Sequence, residues 1–178
     1  MSRATATLLH DHQSLDTVLQ ELRSALSQAE VQESYRRLDL FWARLAMHIR
    51  AEHLHLFPTI LRAVTDDGQP SLSEATAAID ELRRDHEFFM RELAAAISTM
   101  RELPLTNDQN VAIEQLQSVT DRVVEVELRL KSHNQAEENH VYLWAENLLG
   151  EKGKADLASR MKAELSNVPS RLRRSSTN

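Results

Sequence analysis

Two stretches of the chain share the pattern H-x-x-x-E-x-x-H, in which a glutamate lies between two histidines at helical spacing. They are HIRAEHLHLFP, with His48, Glu52 and His55, and HNQAEENH, with His133, Glu137 and His140. At about 100° per residue, the three side chains of each stretch fall within about 60° of one another on a helix. A carboxylate on a face that packs inward is costly to bury unless a partner neutralises it.

Metal ions are the partners that best suit these side chains. Neutral imidazole and carboxylate oxygen are good ligands for iron, manganese or zinc. Two glutamates that face each other across a helical bundle would repel unless each bridged a pair of cations. Bridging carboxylates with histidines from four helices form dinuclear metal sites. Two further histidines at helical positions, His12 and His86, would complete such a site.

The elements that must position these ligands are long helices. Only 3 glycines and 4 prolines occur in 178 residues, against 42% hydrophobic residues, which is typical of an all-α protein. The first helix is expected over about 4–29, the second from 30 or 32 to 64, the third from a cap at Ser71 to about 102, and the fourth from a cap at Thr106 to about 150. A short fifth helix is expected over 152–165, followed by a basic, disordered tail.

The helix ends carry recognisable signals. Ser71 with Glu74 forms a predicted capping box, and Thr106 with Gln109 offers a second one. Gly150 is predicted to follow the fourth helix as its C′ residue.

The polar residues interrupt the apolar stripes of all four helices at one level. In an up-down-up-down bundle, side chains at one level on consecutive helices are equidistant from the turn between them. Position 50 lies midway between His48 and Glu52, and position 135 midway between His133 and Glu137. The midpoint of 12 and 50 is residue 31, that of 50 and 86 is residue 68, and that of 86 and 135 falls between 110 and 111. Each midpoint lies within about one helical turn of a predicted break. We therefore predict one layer of six histidines and two glutamates: His12, His48, Glu52, His55, His86, His133, Glu137 and His140.

The predicted fold is thus an all-α, up-down-up-down four-helix bundle with a short C-terminal helix and a disordered tail. We assign 1–150 to the four-helix metal-binding domain and 151–178 to the short helix and basic flexible tail. His10 and His53 lie away from the ligand face of their helices and are expected at the surface or in helix contacts. His55 and His140 are either additional ligands or support for a bridging carboxylate.

Composition narrows the classes of function. The absence of cysteine excludes disulfides, thiolate zinc sites, cysteine-ligated iron–sulfur clusters and cysteine nucleophiles. A net charge of −6, spread along the chain, argues against nucleic acid as the main partner. The N-terminal stretch MSRATATLLHDHQ lacks an apolar run, and no stretch reaches membrane-spanning length. We expect a cytoplasmic protein without a membrane partner, and its oligomeric state stays open.

At HIRAEHLHLFP, DHEFFMREL and HNQAEENHVY, over about residues 8–149, the chain resembles the bacterial type of the hemerythrin-like, HHE cation-binding family. The resemblance implies a four-helix bundle that holds a non-haem di-iron centre. It assigns His12 and His48 to one iron, His86 and His133 to the other, and Glu52 and Glu137 to both as bridges. The oxygen carriers of the family have a histidine where Met90 stands, and an acidic bridge five residues after the fourth-helix histidine rather than four. Reversible oxygen transport is therefore not the expected role.

Three kinds of function fit these residues. The first is a di-iron protein that binds or senses oxygen, nitric oxide or peroxide, or that buffers iron. The second is a di-iron enzyme with peroxidase or catalase-like activity, or one that repairs damaged iron centres, with an open coordination position on the Met90 side. The third is a structural metal, with zinc the first candidate, since zinc competes well for such donors; manganese also suits them.

Overall fold

The computed structural model describes residues 3–65, 68–105 and 108–173. Within these ranges the regular structure is entirely helical. The helices are α1 (Arg3–Ser27), α2 (α-helical Val31–Ala51, π-helical Glu52–Leu56 and α-helical Phe57–Ala63), α3 (Leu72–Glu102, followed by the 3-10 turn Leu103–Leu105), α4 (α-helical Gln109–Ala136, π-helical Glu137–Val141 and α-helical Tyr142–Leu148), α5 (Glu151–Leu165) and α6 (Ser170–Arg173).

Side-chain pairs between neighbouring helices establish that these helices are antiparallel. Between α1 and α2, Asp11 contacts His48 while Glu21 binds Arg37, so the two helices run in opposite directions. Equivalent pairs join α2 to α3, α3 to α4 and α1 to α4: Tyr35 with Arg101, His53 with His86, Asp85 with Arg129, Glu92 with Arg122, His12 with Glu138, and Arg23 with Glu127. The predicted up-down-up-down bundle is therefore confirmed.

The bundle has two hydrophobic clusters with a polar layer between them. One cluster lies toward the α1–α2 and α3–α4 turns and includes the fully buried Phe41 and Phe89. The other lies toward the α2–α3 turn and includes Leu8, Phe57 and Ile79. Because apolar burial on both sides holds the four helices together, the layer between the clusters can carry polar side chains.

The two helices that carry the glutamates, α2 and α4, each contain one π-helical turn, with one extra residue, at the polar layer. The backbone N–H of Phe57 donates to the carbonyl of Glu52, and that of Tyr142 donates to the carbonyl of Glu137, so each π-helical turn begins at a glutamate. Such single π turns are rare and are frequent at functional sites. Pro58 is not their common cause, because Leu143 stands at the equivalent position of α4.

The predicted helix ends are correct in part. At the start of α3, Ser71 Oγ accepts from the N–H of Glu74, and Glu74 Oε2 accepts from the N–H of Ser71 at 2.8 Å, which is the predicted capping box. Thr106 lies outside the described residues, and α4 is instead capped by Asp108, whose side chain accepts from two backbone N–H groups. Gly150 is the C′ residue of α4, as predicted, since Leu149 is the C-cap. Its φ of −70° is extended rather than left-handed, and it also caps the start of α5.

Helix α1 ends in a Schellman motif that has an alanine where glycine is usual. The N–H of Glu30 donates to the carbonyl of Ala25 at 3.0 Å, the N–H of Ala29 donates to the carbonyl of Leu26 at 3.1 Å, and Ala29 has a φ of 53°. The left-handed conformation costs an L-residue with a Cβ about 1–2 kcal/mol, so this turn is under local strain.

Replacing Ala29 with glycine is expected to stabilise the protein by about 1 kcal/mol because it relieves the left-handed strain. The same change at Ala77, exposed within α3, is expected to destabilise it by about 1 kcal/mol. Chemical unfolding of the two variants beside the parent measures both free energies. A loss of stability in Ala29→Gly would contradict the assignment of this turn.

The short fifth helix is present and packs on the bundle. Leu157 and Met161 of α5 are fully buried in the second hydrophobic cluster, and Arg50 of α2 binds Glu164 at 2.7 Å. The predicted disordered tail is wrong at Ser170–Arg173, which form the short helix α6, and 174–178 lie outside the described residues. Across the described ranges, every helix is too short or too polar to cross a membrane.

Candidate metal centre

Six of the eight predicted side chains meet in the polar layer, and all six are buried. They form two groups of four potential ligands, in each of which the ligand atoms lie within 4.8 Å of one another. We call the first group site 1 (His12, His48, Glu52 and Glu137) and the second site 2 (Glu52, His86, His133 and Glu137). The histidines are at most 3% exposed and the two glutamates, common to both sites, are 0% exposed.

Each glutamate directs one oxygen to each site. Glu52 Oε1 lies 3.2 Å from His48 Nε2 in site 1, and Glu52 Oε2 lies 3.4 Å from His86 Nε2 in site 2. Glu137 Oε2 lies 3.3 Å from His12 Nε2, and Glu137 Oε1 lies 3.2 Å from His133 Nε2. This is the arrangement that two carboxylates need to bridge a pair of cations.

The donor atoms fit cations in two respects. Glu52 Oε2 is buried without a hydrogen-bond donor among the described residues, and such an orphaned charged oxygen is costly. The Nε2 atoms are 3.2 Å apart in site 1 and 3.0 Å apart in site 2. Donors bonded to one ion at about 2.1 Å with angles of 90–109° are about 3.0–3.4 Å apart, so the spacing fits.

The far nitrogen of each histidine is held by a second group. Nδ1 of His48 donates to Asp11 at 2.9 Å, Nδ1 of His133 to Asp85 at 3.2 Å, and Nδ1 of His12 to Glu138 at 3.0 Å. Since a carboxylate only accepts hydrogen bonds, Nδ1 of each of these rings carries a proton, and the neutral form of each ring therefore directs its Nε2 lone pair toward the centre. Partners of this kind orient metal-binding histidines and raise their basicity.

His86 differs from the other three histidines because its partner is not a carboxylate. Its Nδ1 lies 2.9 Å from Nε2 of His53, which is half-buried at the α2–α3 interface. Burial lowers the pKa of His86 to about 2, so the ring is neutral and able to coordinate. Burial also lowers the pKa of His53.

In the metal-free protein, protonated histidines balance the negative charge of the two glutamates. Burial alone would lower the pKa of His133, but the charge of Glu137 and hydrogen bonds to Asp85 and Glu137 raise it to about 10. Burial likewise opposes the protonation of His48, and Glu52 and Asp11 outweigh it, so that its pKa is well above 6.5. His48 in site 1 and His133 in site 2 are therefore protonated at neutral pH in the metal-free protein, and a bound cation would displace a proton from each.

The prediction that His55 and His140 join the layer is wrong in geometry. His55 turns toward α5, where its Nε2 lies 4.0 Å from Glu164, and His140 is exposed with its Nδ1 3.0 Å from the carbonyl of Ala136. The π turn that begins at each glutamate rotates the histidine three residues later away from the centre. His10 is exposed as predicted, and His53 makes the helix contact that was predicted for it, although its partner His86 gives that contact a role in the site.

Sequence reasoning missed Tyr142, whose hydroxyl lies 3.0 Å from His12 Nε2. On a regular α-helix, a residue five positions after Glu137 would be about 140° away. The π turn instead brings it onto the ligand face. Asp11 and Asp85 were missed as well, although each directly precedes a ligand histidine in a repeated Asp-His pair. That repeat was the available signal.

The fold and the polar layer together define a four-helix bundle with a candidate dinuclear metal centre. Residues 3–145 match the Hemerythrin HHE cation binding domain, and since this is most of the chain, the protein belongs to that family. It is a cation-binding protein of a family whose members typically bind iron. No curated protein sequence and no solved structure matches the chain at a significant level.

Proposed function

We propose that the chain holds two iron ions and uses them to bind or sense a small molecule such as oxygen, nitric oxide or peroxide, or to buffer iron. Site 1 would take its terminal histidines from α1 and α2, and site 2 from α3 and α4, with both glutamates bridging. The observation that carries the proposal is the pair of buried four-donor groups sharing two carboxylates.

The number of donors supports a role in binding small ligands. Each site offers four protein atoms, whereas an ion with octahedral preference takes about six ligands. Bound iron would supply redox chemistry and the remaining coordination positions. The chain itself orients the four imidazoles through their far nitrogens, neutralises the positive charge with two carboxylates and excludes bulk water.

Access to the centre favours molecules of a few atoms. A cleft of about 390 Å³ between α1 and α4 reaches the edge of His12, and a groove of about 920 Å³ between α3 and α4 reaches the edge of His133. Both rings are only 3% exposed, and neither glutamate lines these openings. An organic substrate would therefore be held away from the metal positions.

The test is the iron content per chain and the absorption spectrum after anaerobic loading with ferrous iron. We expect two irons, and a spectral change on adding nitric oxide or oxygen that reverses on its removal. His10→Ala should behave like the parent because His10 is exposed and outside both sites. One iron or none would refute the proposal. Peroxide turnover far above that of free iron would favour the enzymatic alternative.

Asp85→Asn is expected to weaken metal binding at site 2 by roughly 10–100-fold, because the charged acceptor of the His133 ring is lost. The matched control is Asp80→Asn on the same helix, whose carboxylate is 49% exposed and pairs with Arg83 at 3.2 Å. Competition with a chromogenic chelator measures both affinities. Equal affinities in the two variants would mean that Asp85 does not support the ligand.

A further inference from the structure

The two halves of the centre are related by an approximate twofold repeat. The α1–α2 half and the α3–α4 half place the same residue types in the same roles. The equivalent pairs are Asp11 and Asp85, His12 and His86, Arg44 and Arg129, His48 and His133, and Glu52 and Glu137. In each half the aspartate accepts from the second histidine and also binds the arginine one turn before it. Differences between the halves therefore point to different roles of the two sites.

The two halves differ at two positions that follow the glutamates. The residue directly after Glu137 is Glu138, whose carboxylate contacts His12, whereas the residue directly after Glu52 is His53, whose imidazole contacts His86. Five residues after each glutamate, a tyrosine in α4 replaces a phenylalanine in α2. The Phe57 ring stacks against His86 at 6.0 Å in site 2, while the Tyr142 ring lies 5.6 Å from His12 in site 1 and carries a hydroxyl.

The Tyr142 hydroxyl reaches the donor atoms of site 1. Its oxygen lies 3.0 Å from His12 Nε2, 3.3 Å from Glu137 Oε2 and 3.4 Å from Glu52 Oε1. The distances between the site 1 donors themselves, 3.2–3.3 Å, fall within the same range. The side chain is buried at 3% exposure, and the π turn that begins at Glu137 directs it inward.

Hydrogen bonding alone does not account for this contact. The Glu137 and Glu52 oxygens are carboxylate atoms, which only accept hydrogen bonds. The hydroxyl has one proton, so it can donate to only one of the two and faces the other oxygen without a proton between them. Oxygen and nitrogen donors that converge in this way are the environment of a cation.

We propose that the Tyr142 oxygen is a fifth protein donor to the cation at site 1, and that site 2, which has Phe57 instead, keeps the equivalent coordination position for an external ligand. The inference rests on the proposed function, since it requires iron in the centre. On binding, the O–H bond breaks, the oxygen binds the cation in place of the proton, and the proton leaves to solvent. The two iron positions are thus chemically unequal.

Resonance Raman spectroscopy of the iron-loaded, air-oxidised full chain tests the inference directly. A tyrosine bound to ferric iron gives a visible charge-transfer band whose excitation enhances tyrosine ring vibrations. The chain has only two tyrosines, Tyr35 and Tyr142, and the Tyr35 hydroxyl contacts Arg101 at 3.1 Å, far along the bundle. We expect the tyrosine vibrations in the parent and in Tyr35→Phe, and their loss in Tyr142→Phe with two irons still bound.

The outcomes separate this inference from the proposed function. Two irons in the parent without tyrosine vibrations would overturn the Tyr142 assignment and leave the proposed function standing. A parent chain that binds no iron would refute the proposed function itself. If Tyr142→Phe does not fold, Phe57→Tyr provides the test. A hydroxyl at the equivalent position of site 2 should bind the second iron and increase the intensity of the tyrosine vibrations. No added contribution there would contradict the twofold argument.

Discussion

Replacing Glu52 with glutamine is expected to lower the metal content below two ions per chain while the metal-free protein becomes no less stable. The glutamine keeps an oxygen acceptor toward His48, and its amide can donate to the bare Nε2 of His86 on the side of the orphaned Oε2. It cannot bridge two cations as an anion. Metal analysis after dialysis, with chemical unfolding of the metal-free form, measures the two effects.

The gain in metal-free stability should depend on pH. Burial and the neighbouring Glu137 raise the pKa of Glu52 above its ordinary 4.5, so the folded state releases this proton less readily than the unfolded state. Its ionisation therefore destabilises the fold above about pH 4.5, and the advantage of Glu52→Gln should be absent below that pH and grow above it.

Two comparison variants make this prediction specific. Glu137→Gln should lower metal-free stability, because the charge of His133 and its hydrogen bond outweigh burial and hold the pKa of Glu137 well below 4.5. Glu81→Gln, exposed on α3, should change neither metal content nor stability. If Glu52→Gln kept two metal ions per chain, Glu52 would not be a bridging ligand.

Removal of the metal is expected to lower the melting temperature by roughly 10–20 °C without unfolding the chain at 25 °C. Each ion present at 100 times its Kd stabilises the native state by about 2.7 kcal/mol, and two ions contribute about twice that. For a chain of this length, 1 kcal/mol corresponds to about 2–4 °C. Circular dichroism of loaded and chelator-treated protein measures both the melting temperature and the helix content.

The helices should survive metal removal because the hydrophobic clusters above and below the polar layer do not depend on it. Loss of helix content at 25 °C would instead assign the metal a structural role, as with zinc. An unchanged melting temperature after verified removal would mean that metal binding is not coupled to folding. Reloading with iron, zinc and manganese in turn compares the stabilisation that each ion supplies.

The sequence by itself determined the bundle and the ligand layer. Four apolar stripes with 3- and 4-residue steps require four inward faces, and short breaks between them leave only antiparallel neighbours. The spacing of His12, the second-helix ligands and His86 from those breaks then fixes one level in the bundle. These are local rules acting on regular helices, and up to Glu52 and Glu137 the helices are regular.

Beyond each glutamate, only the tertiary structure decided which side chains face the centre. The prediction extended the 3.6-residue period past Glu137 and so placed His140 inward, whereas the π turn places Tyr142 there. The sequence contains no strong local signal for that extra residue, because α-helical and π-helical turns differ by one hydrogen-bond partner, chosen by packing in the layer.

The supporting carboxylates were also settled by the tertiary structure. Asp11 supports a histidine on the next helix rather than its neighbour His12, and Asp85 does the same for His133. Sequence adjacency suggests a pairing with the following histidine, but neighbouring residues on a helix point about 100° apart. The contact across the helix interface depends on how α1 and α3 dock against α2 and α4, which only the assembled bundle determines.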